Sequence, residues 1–235
     1  MTAFVIAHRG FSAGHPENSL EAFKAAIAAG ADAIETDVRL SRDGVPMCSH
    51  DPDLKRLHGR PEAVAEVDAA DLERLGIERL ASVLETARGR IRVALDLKLA
   101  TEAELAPAFA VVNGLGMGQD IFAGVRAVAL APIVKRLCPE ATLLGLLRQP
   151  SDLPAFYTLG GAIGRLWEAE ATRAGIEMAK SGDHGVWITA GGRGGGGTGE
   201  INPTALRRLF ADGADGVIVN DPTRALAVRA ELGGR

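Results

Sequence analysis

Eight short apolar runs recur along the chain, and the stretches between them carry the periodicity of amphipathic helices. The runs are Phe4–His8, Ala33–Val38, Arg92–Lys98, Ile121–Val125, Thr142–Leu147, Ala162–Trp167, Val186–Thr189 and Gly216–Asn220. Strands alternating with helices imply parallel βα units, because two parallel strands need a long crossover between them. Crossover helices are expected at Ser19–Ala29, Ala127–Cys138, Ala169–Lys180 and Pro203–Ala211, among others. Asn202-Pro203 reads as an N-cap followed by Pro at the first helical position. An open doubly wound sheet shows the same alternation, but eight units favour closure into a (β/α)8 TIM barrel. The 235 residues fit one such barrel, which typically takes roughly 250. One domain over residues 1–235 is therefore expected.

Two stretches break the rhythm. After the second strand, Arg42-Asp43-Gly44 reads as a turn into an extended Val45–His50. Pro52 to Gly76 then forms a short polar insertion before a helix near Leu80–Ala87. After the seventh strand comes the glycine-rich Gly191–Gly197, which reads as a flexible loop. No strand-to-helix phosphate-loop spacing accompanies it.

Composition narrows the partners. With 47% hydrophobic and 24% charged residues the chain has enough apolar surface for a sizeable core. Its 26 basic against 30 acidic residues leave no positive excess for a nucleic-acid backbone. Cys48 and Cys138 fit neither a zinc pattern nor a disulfide framework, so two reduced thiols are expected. The first apolar run is too short for an export signal or a membrane span, and 4% aromatic residues argue against a stable membrane anchor. A cytoplasmic protein is the expectation.

The chemistry gathers at the predicted strand ends. His8-Arg9 closes the first strand, Glu35 and Asp37 the second, His50-Asp51 the extended segment, and Asp96 and Lys98 the third. Residues two apart on a strand share a side, so Glu35 pairs with Asp37 and Asp96 with Lys98. Three carboxylates in a barrel mouth need neutralising, by a divalent cation or by Arg9 and Lys98. An all-oxygen set suits Mg²⁺ or Ca²⁺ rather than zinc. Histidine moves protons both ways near neutral pH, which singles out His8 and His50 beside the carboxylates.

Ala7-His8-Arg9-Gly10, Pro16-Glu17-Asn18-Ser19, Ile34-Glu35-Thr36-Asp37-Val38, Asp43-Gly44 and Ser49-His50-Asp51 together resemble the glycerophosphodiester phosphodiesterase family in order and spacing. Asp96-Leu97-Lys98, Val186-Trp187-Ile188-Thr189, Gly213-Ala214-Asp215-Gly216 and Asn220-Asp221-Pro222 extend the likeness more loosely. The resemblance implies a barrel enzyme that uses a divalent metal to hydrolyse a small-molecule glycerophosphodiester to an alcohol and glycerol 3-phosphate. It gives His8 and His50 the general acid and base roles, Glu35, Asp37 and Asp96 the metal, and Arg9 and Lys98 the phosphate oxygens. The family has Glu where this chain has Asp96, whereas related spider-venom phospholipases D have Asp. Gly124-Val125-Arg126 replaces the family's Ser-Phe.

Trp167 and Trp187 are candidate walls for the alcohol half of the substrate, and Trp187 reads equally well as core. The short insertion and the glycine run predict an open mouth that tolerates several alcohols. Two other readings stay open: a phospholipase D-type activity on lysophospholipids, and a barrel that binds a phosphorylated metabolite without turnover. The second leaves the paired histidines without a task.

Overall fold

A computed structural model describes residues 3–192 and 197–233. Nine strands form one sheet: β1 (Phe4–Ala7), β2 (Ala33–Leu40), β3 (Pro46–Cys48), β4 (Arg92–Leu97), β5 (Ile121–Val125), β6 (Thr142–Gly145), β7 (Ile163–Trp167), β8 (Gly185–Thr189) and β9 (Gly216–Val219). Eight run parallel, in the order β1-β9-β8-β7-β6-β5-β4-β2, and β1 also pairs with β2, so the sheet closes on itself. The expected eight-stranded barrel is present. β3 lies outside the cycle, antiparallel to β2, with Val38 opposite Cys48.

Alternation along the strands divides the core in two, because successive residues of a barrel strand face opposite sides. One set, with Val5, Ala7, Ile34, Val38, Val93 and Leu95, packs outward against the helices. The other set fills the barrel: Ile6, Ala33, Ala94, Phe122, Leu144, Trp187 and Ile218. Burying a large apolar side chain is worth roughly 1.5–3 kcal/mol, so both layers hold the closed sheet.

Trp187 stands in the inner layer at 2% exposure, its ring 4.6 Å from that of Phe122 and 6.0 Å from that of Phe4. The expectation of Trp187 as a substrate wall is corrected on that ground. It shares its side of β8 with Thr189, and it is Thr189, two residues nearer the mouth, that reaches the cavity.

Local chemistry fixes the crossovers. Ser19 Oγ accepts the Ala22 N–H and starts the helix Leu20–Ala29. Asn202 Oδ1 does the same for Pro203–Ala211 from the Ala205 N–H, with Pro203 at the first position. The expected helices at Ala127–Cys138 and Ala169–Lys180 each open with a 3₁₀ turn, Val128–Leu130 and Glu168–Glu170, before the α-helical part. The insertion is more ordered than its polar sequence suggests: it folds into short helices over a cluster of Leu54, Val64, Val67, Ala69, Leu72 and Ile77, which also holds Met47 of β3. Of the glycine run, residues 193–196 lie outside the described residues.

Candidate active site

The inward-facing positions change character at the C-terminal ends of the strands, the face on which barrel sites are built. Below are Ile6, Ala33 and Ala94; next along the same strands come His8, Glu35, Asp37 and Asp96. Register explains their meeting. β2 and β4 pair with Glu35 opposite Ala94 and Asp37 opposite Asp96, so the two aspartates sit side by side at one level. One carboxylate oxygen from each of Glu35, Asp37 and Asp96 lies within 4.8 Å of the others, and all three residues are buried.

The sequence between β1 and its helix is shaped for this cluster. Among the described residues, Arg9 and Asn18 are the non-glycine residues held at positive φ, at 55° and 56°. That conformation costs about 1–2 kcal/mol and persists where surrounding contacts enforce it. Here it turns the Arg9 N–H onto Glu35 Oε2 at 2.9 Å, and brings Asn18 Nδ2 to 3.0 Å from Asp37 Oδ2. Asn18 Oδ1 accepts the Thr36 hydroxyl at 2.8 Å, so this amide is fixed at both ends. Gly10 follows at φ 78°, where a Cβ would fall 2.7 Å from Ala22 carbon atoms. Only glycine lets the His8-Arg9 turn pack this closely on the first helix.

Cations of the chain answer the carboxylates. Lys98 Nζ lies 2.9 Å from Asp37 Oδ1 and also pairs with Asp96. Arg126 grips Asp96 with two bonds, Nε to Oδ1 at 2.9 Å and an Nη to Oδ2 at 3.2 Å. Burial works to raise the Asp37 carboxyl, but Lys98 and Arg9 outweigh it and hold it below the usual carboxylate range. Glu35 goes the other way: burial, then the charges of Asp37 and Asp96, push it well above its ordinary value. Three buried carboxylates of which one resists ionisation are a donor set that a divalent cation fits.

The two histidines have different partners. His8 Nδ1 lies 2.7 Å from Asn220 Oδ1, while Asn220 Nδ2 donates to the Thr198 carbonyl at 2.9 Å. The amide oxygen therefore faces the ring, Nδ1 carries the proton, and Nε2 keeps its lone pair. Burial, with the charge of Arg9, lowers His8 to about 4. His50 is 37% exposed in its side chain, and its Nδ1 lies 2.8 Å from Asp51 Oδ1. Arg39 Nε and an Nη hold the His50 carbonyl at 3.1 and 2.9 Å.

One cavity gathers these groups. His8, Arg9, Glu35, Asp37, His50, Asp96, Lys98 and Trp167 all line it, and of the residues singled out in the sequence only Trp187 does not.

Comparison with known proteins agrees with this arrangement. The model of the "Glycerophosphoryl diester phosphodiesterase family" matches residues 8–109, which carry His8, Arg9, Glu35, Asp37, His50, Asp96 and Lys98. Over these residues the chain is similar to that family. A Mycobacterium tuberculosis relative named "Probable glycerophosphodiester phosphodiesterase 1" is 46% identical over 72 residues, or 31% of this chain. That alignment spans only 26% of the relative's length. A glycerophosphodiester phosphodiesterase structure from Agrobacterium tumefaciens superposes with a TM-score of 0.78 at 27% identity, covering 97% of this chain and 99% of that one. An Oleispira antarctica phosphodiesterase, solved with the product sn-glycerol-3-phosphate, superposes at 0.82 with 21% identity over 97% and 96% of the two chains.

Several residues of this site carried little signal in the sequence. Arg126 was visible as a departure from the family pattern, though not as a partner of Asp96. Asn220 was noted in a closing motif, and register explains its place: β1 and β9 pair Ala7 with Val219, so the next residues, His8 and Asn220, meet. Arg165, buried in the wall of the cavity, carried no signal beyond an inward position on β7. Cys48, expected to be a reduced thiol, is free and buried; burial pushes it up to about 12, which keeps it inert. Among the described residues no helix is long and apolar enough to cross a membrane.

Proposed function

We propose that residues 1–235 form one phosphodiesterase domain, with residues 52–76 as its insertion, that hydrolyses small glycerophosphodiesters to an alcohol and glycerol 3-phosphate. The observation that carries the reading is the pairing of two histidines with unlike partners, an amide and a carboxylate, around one triad of buried carboxylates. The family's relatives and the product bound to the Oleispira structure support the substrate class.

Glu35, Asp37 and Asp96 are the residues that would hold a divalent cation, Mg²⁺ or Ca²⁺ on the chemistry of an all-oxygen set. Such a cation would supply positive charge against the phosphoryl oxygens. Arg9 and Lys98 add charge of their own beside the same place and bind those oxygens. His8, neutral with its Nε2 lone pair available, takes the proton from the attacking oxygen. His50 gives a proton to the leaving alcohol oxygen, and Asp51 behind Nδ1 keeps the ring oriented. Trp167 walls the substrate. A protein that only bound a phosphorylated metabolite would need neither proton-transfer group.

Release of glycerol 3-phosphate from a panel of glycerophosphodiesters, assayed with and without chelator, tests this reading. Turnover that disappears with the chelator and returns with Mg²⁺ or Ca²⁺ is expected. Failure to release glycerol 3-phosphate from any member would overturn it.

A further inference from the structure

Trp167 is the aromatic ring, histidines aside, among the described residues lining the cavity, and it is already in use. The Arg165 guanidinium carbon lies 4.2 Å from the ring centroid, a stacked cation–π contact. The Gly192 backbone abuts the ring as well: a Cβ there would fall 2.6 Å from Cζ3. A quaternary ammonium brought to this ring would meet a guanidinium already on it. Among the described residues, then, the one such ring at the mouth already carries a cation, where cationic alcohols are usually held by an aromatic face.

Charge points the same way. Among the described residues, four basic side chains, Arg9, Lys98, Arg126 and Arg165, line the cavity against three carboxylates, Glu35, Asp37 and Asp96. A phosphodiester adds a single negative charge, and any bound cation tips the balance further to the positive. Arg126 stands at the edge, 49% exposed in its side chain. Arg39 clasps the His50 carbonyl. Asp51, the acidic group beside the histidine that serves the leaving alcohol, is already paired with that ring and with Arg56, so the rim is basic on the Arg126 side.

We infer that the alcohol half of the substrate is anionic, a hydroxyl compound bearing a carboxylate or phosphate rather than choline or ethanolamine, and that Arg126 selects it. The inference rests on the phosphodiesterase reading above. It narrows the expectation from the loops, which foresaw tolerance of several alcohols: the opening admits them by size, while its charge sorts them.

Three glycerophosphodiesters of similar size test it, with choline, glycerol or glycolate as the alcohol. The ratio kcat/KM reports differential transition-state binding. It is expected to rise from choline through glycerol to glycolate, with glycolate at least about tenfold above choline, the range of one charge-assisted hydrogen bond. The ratio should shrink in the wild type as salt screens the rim. It should fall to a few-fold in Arg126→Met and persist in Arg126→Lys. Choline equal to or better than glycolate, or a ratio untouched by both salt and Arg126→Met, would overturn the inference. Turnover of none of the three would instead remove the phosphodiesterase reading beneath it.

Discussion

Arg56 grips both carboxylate oxygens of Glu17, at 2.9 and 2.6 Å, across 39 residues of chain. Its Nε reaches Asp51 as well, and Glu17 also holds the Arg9 guanidinium at 2.9 Å. The insertion and the first strand's turn are thereby joined through one guanidinium. Asp51, which carries the His50 ring, is one end of this network, and Arg9, next to His8, is the other. Hydrogen bonds from Arg56 and the charge of Arg9 outweigh burial and hold Glu17 below its ordinary value, so the network stays ionised well into acid.

Arg56→Met should leave the barrel folded and loosen Asp51 and with it His50. A misplaced proton donor costs rate rather than binding, so kcat is expected to drop on the order of tenfold to a hundredfold with little change in KM. Steady-state kinetics beside a melting curve checks this. Unchanged kcat would mean that Asp51 needs no help from the insertion.

His8 gives the fold a pH dependence whose sign can be worked out. Its folded-state value of about 4 lies below the ordinary 6.5, so the unfolded chain takes up a proton that the folded one refuses. The contribution is fully present above about pH 6.5 and is lost progressively as pH falls toward 4, amounting to about 3 kcal/mol. Urea unfolding at pH 7 and 4.5, in the presence of chelator, should show the wild type losing more stability than His8→Gln. Equal losses would argue against a buried neutral His8.

Much of this was legible in the sequence because it follows from period and register. The eight strands were readable from apolar runs, and the step of two along β2 and β4 put Glu35, Asp37 and Asp96 on the inner face. Depth in the barrel was not readable: Trp187 and Thr189 share a side of β8, and only the layering of Phe4, Phe122 and Trp187 separates core from mouth. Nor were contacts between distant segments. The amide behind His8 comes from Asn220, 212 residues away, and the guanidinium on Asp96 from Arg126 beyond the next strand. The hydrophobic pattern of the insertion was diluted by charges, so the small core around Leu54 and Leu72 was hidden.

Gly199 passes so close to the His8–Asn220 pair that a Cβ would fall 2.0 Å from Asn220 Oδ1 and 2.8 Å from His8 Nδ1, at φ 83°. Gly199→Ala must push the loop or the pair aside. Activity should fall at least about tenfold, while stability drops by roughly 1–3 kcal/mol for the strained backbone and the overpacking. Activity assays and denaturant unfolding measure both. A variant with wild-type turnover would show that the pair tolerates displacement.

Cation binding at the triad should register in stability as well as turnover, since a ligand that binds only the folded state raises its melting temperature. Millimolar Mg²⁺ or Ca²⁺ is expected to raise the melting temperature of the chelator-treated wild type. The rise should vanish in Asp96→Asn and Glu35→Gln, each of which turns one carboxylate of the set into an amide. A rise that survives both substitutions would place the cation elsewhere.

The unlike partners of His8 and His50 predict unlike consequences when each is removed. If His50 protonates the leaving oxygen, its loss matters only as far as that oxygen needs a proton. An alkoxide needs one; a nitrophenolate, a far weaker base, does not. His50→Ala should therefore lose roughly 10²–10⁴ in kcat on an alkyl diester and recover most of it on the nitrophenyl ester of glycerol phosphate. His8→Ala, having lost the group that takes a proton from the nucleophile, should be impaired on both by a similar factor. Folded-state spectra of the two variants guard against collapse of the site. Recovery of the His8 variant on the nitrophenyl ester, with the His50 variant still impaired, would reverse the two roles, and equal impairment of both on both esters would mean that leaving-group protonation is not the task of either ring.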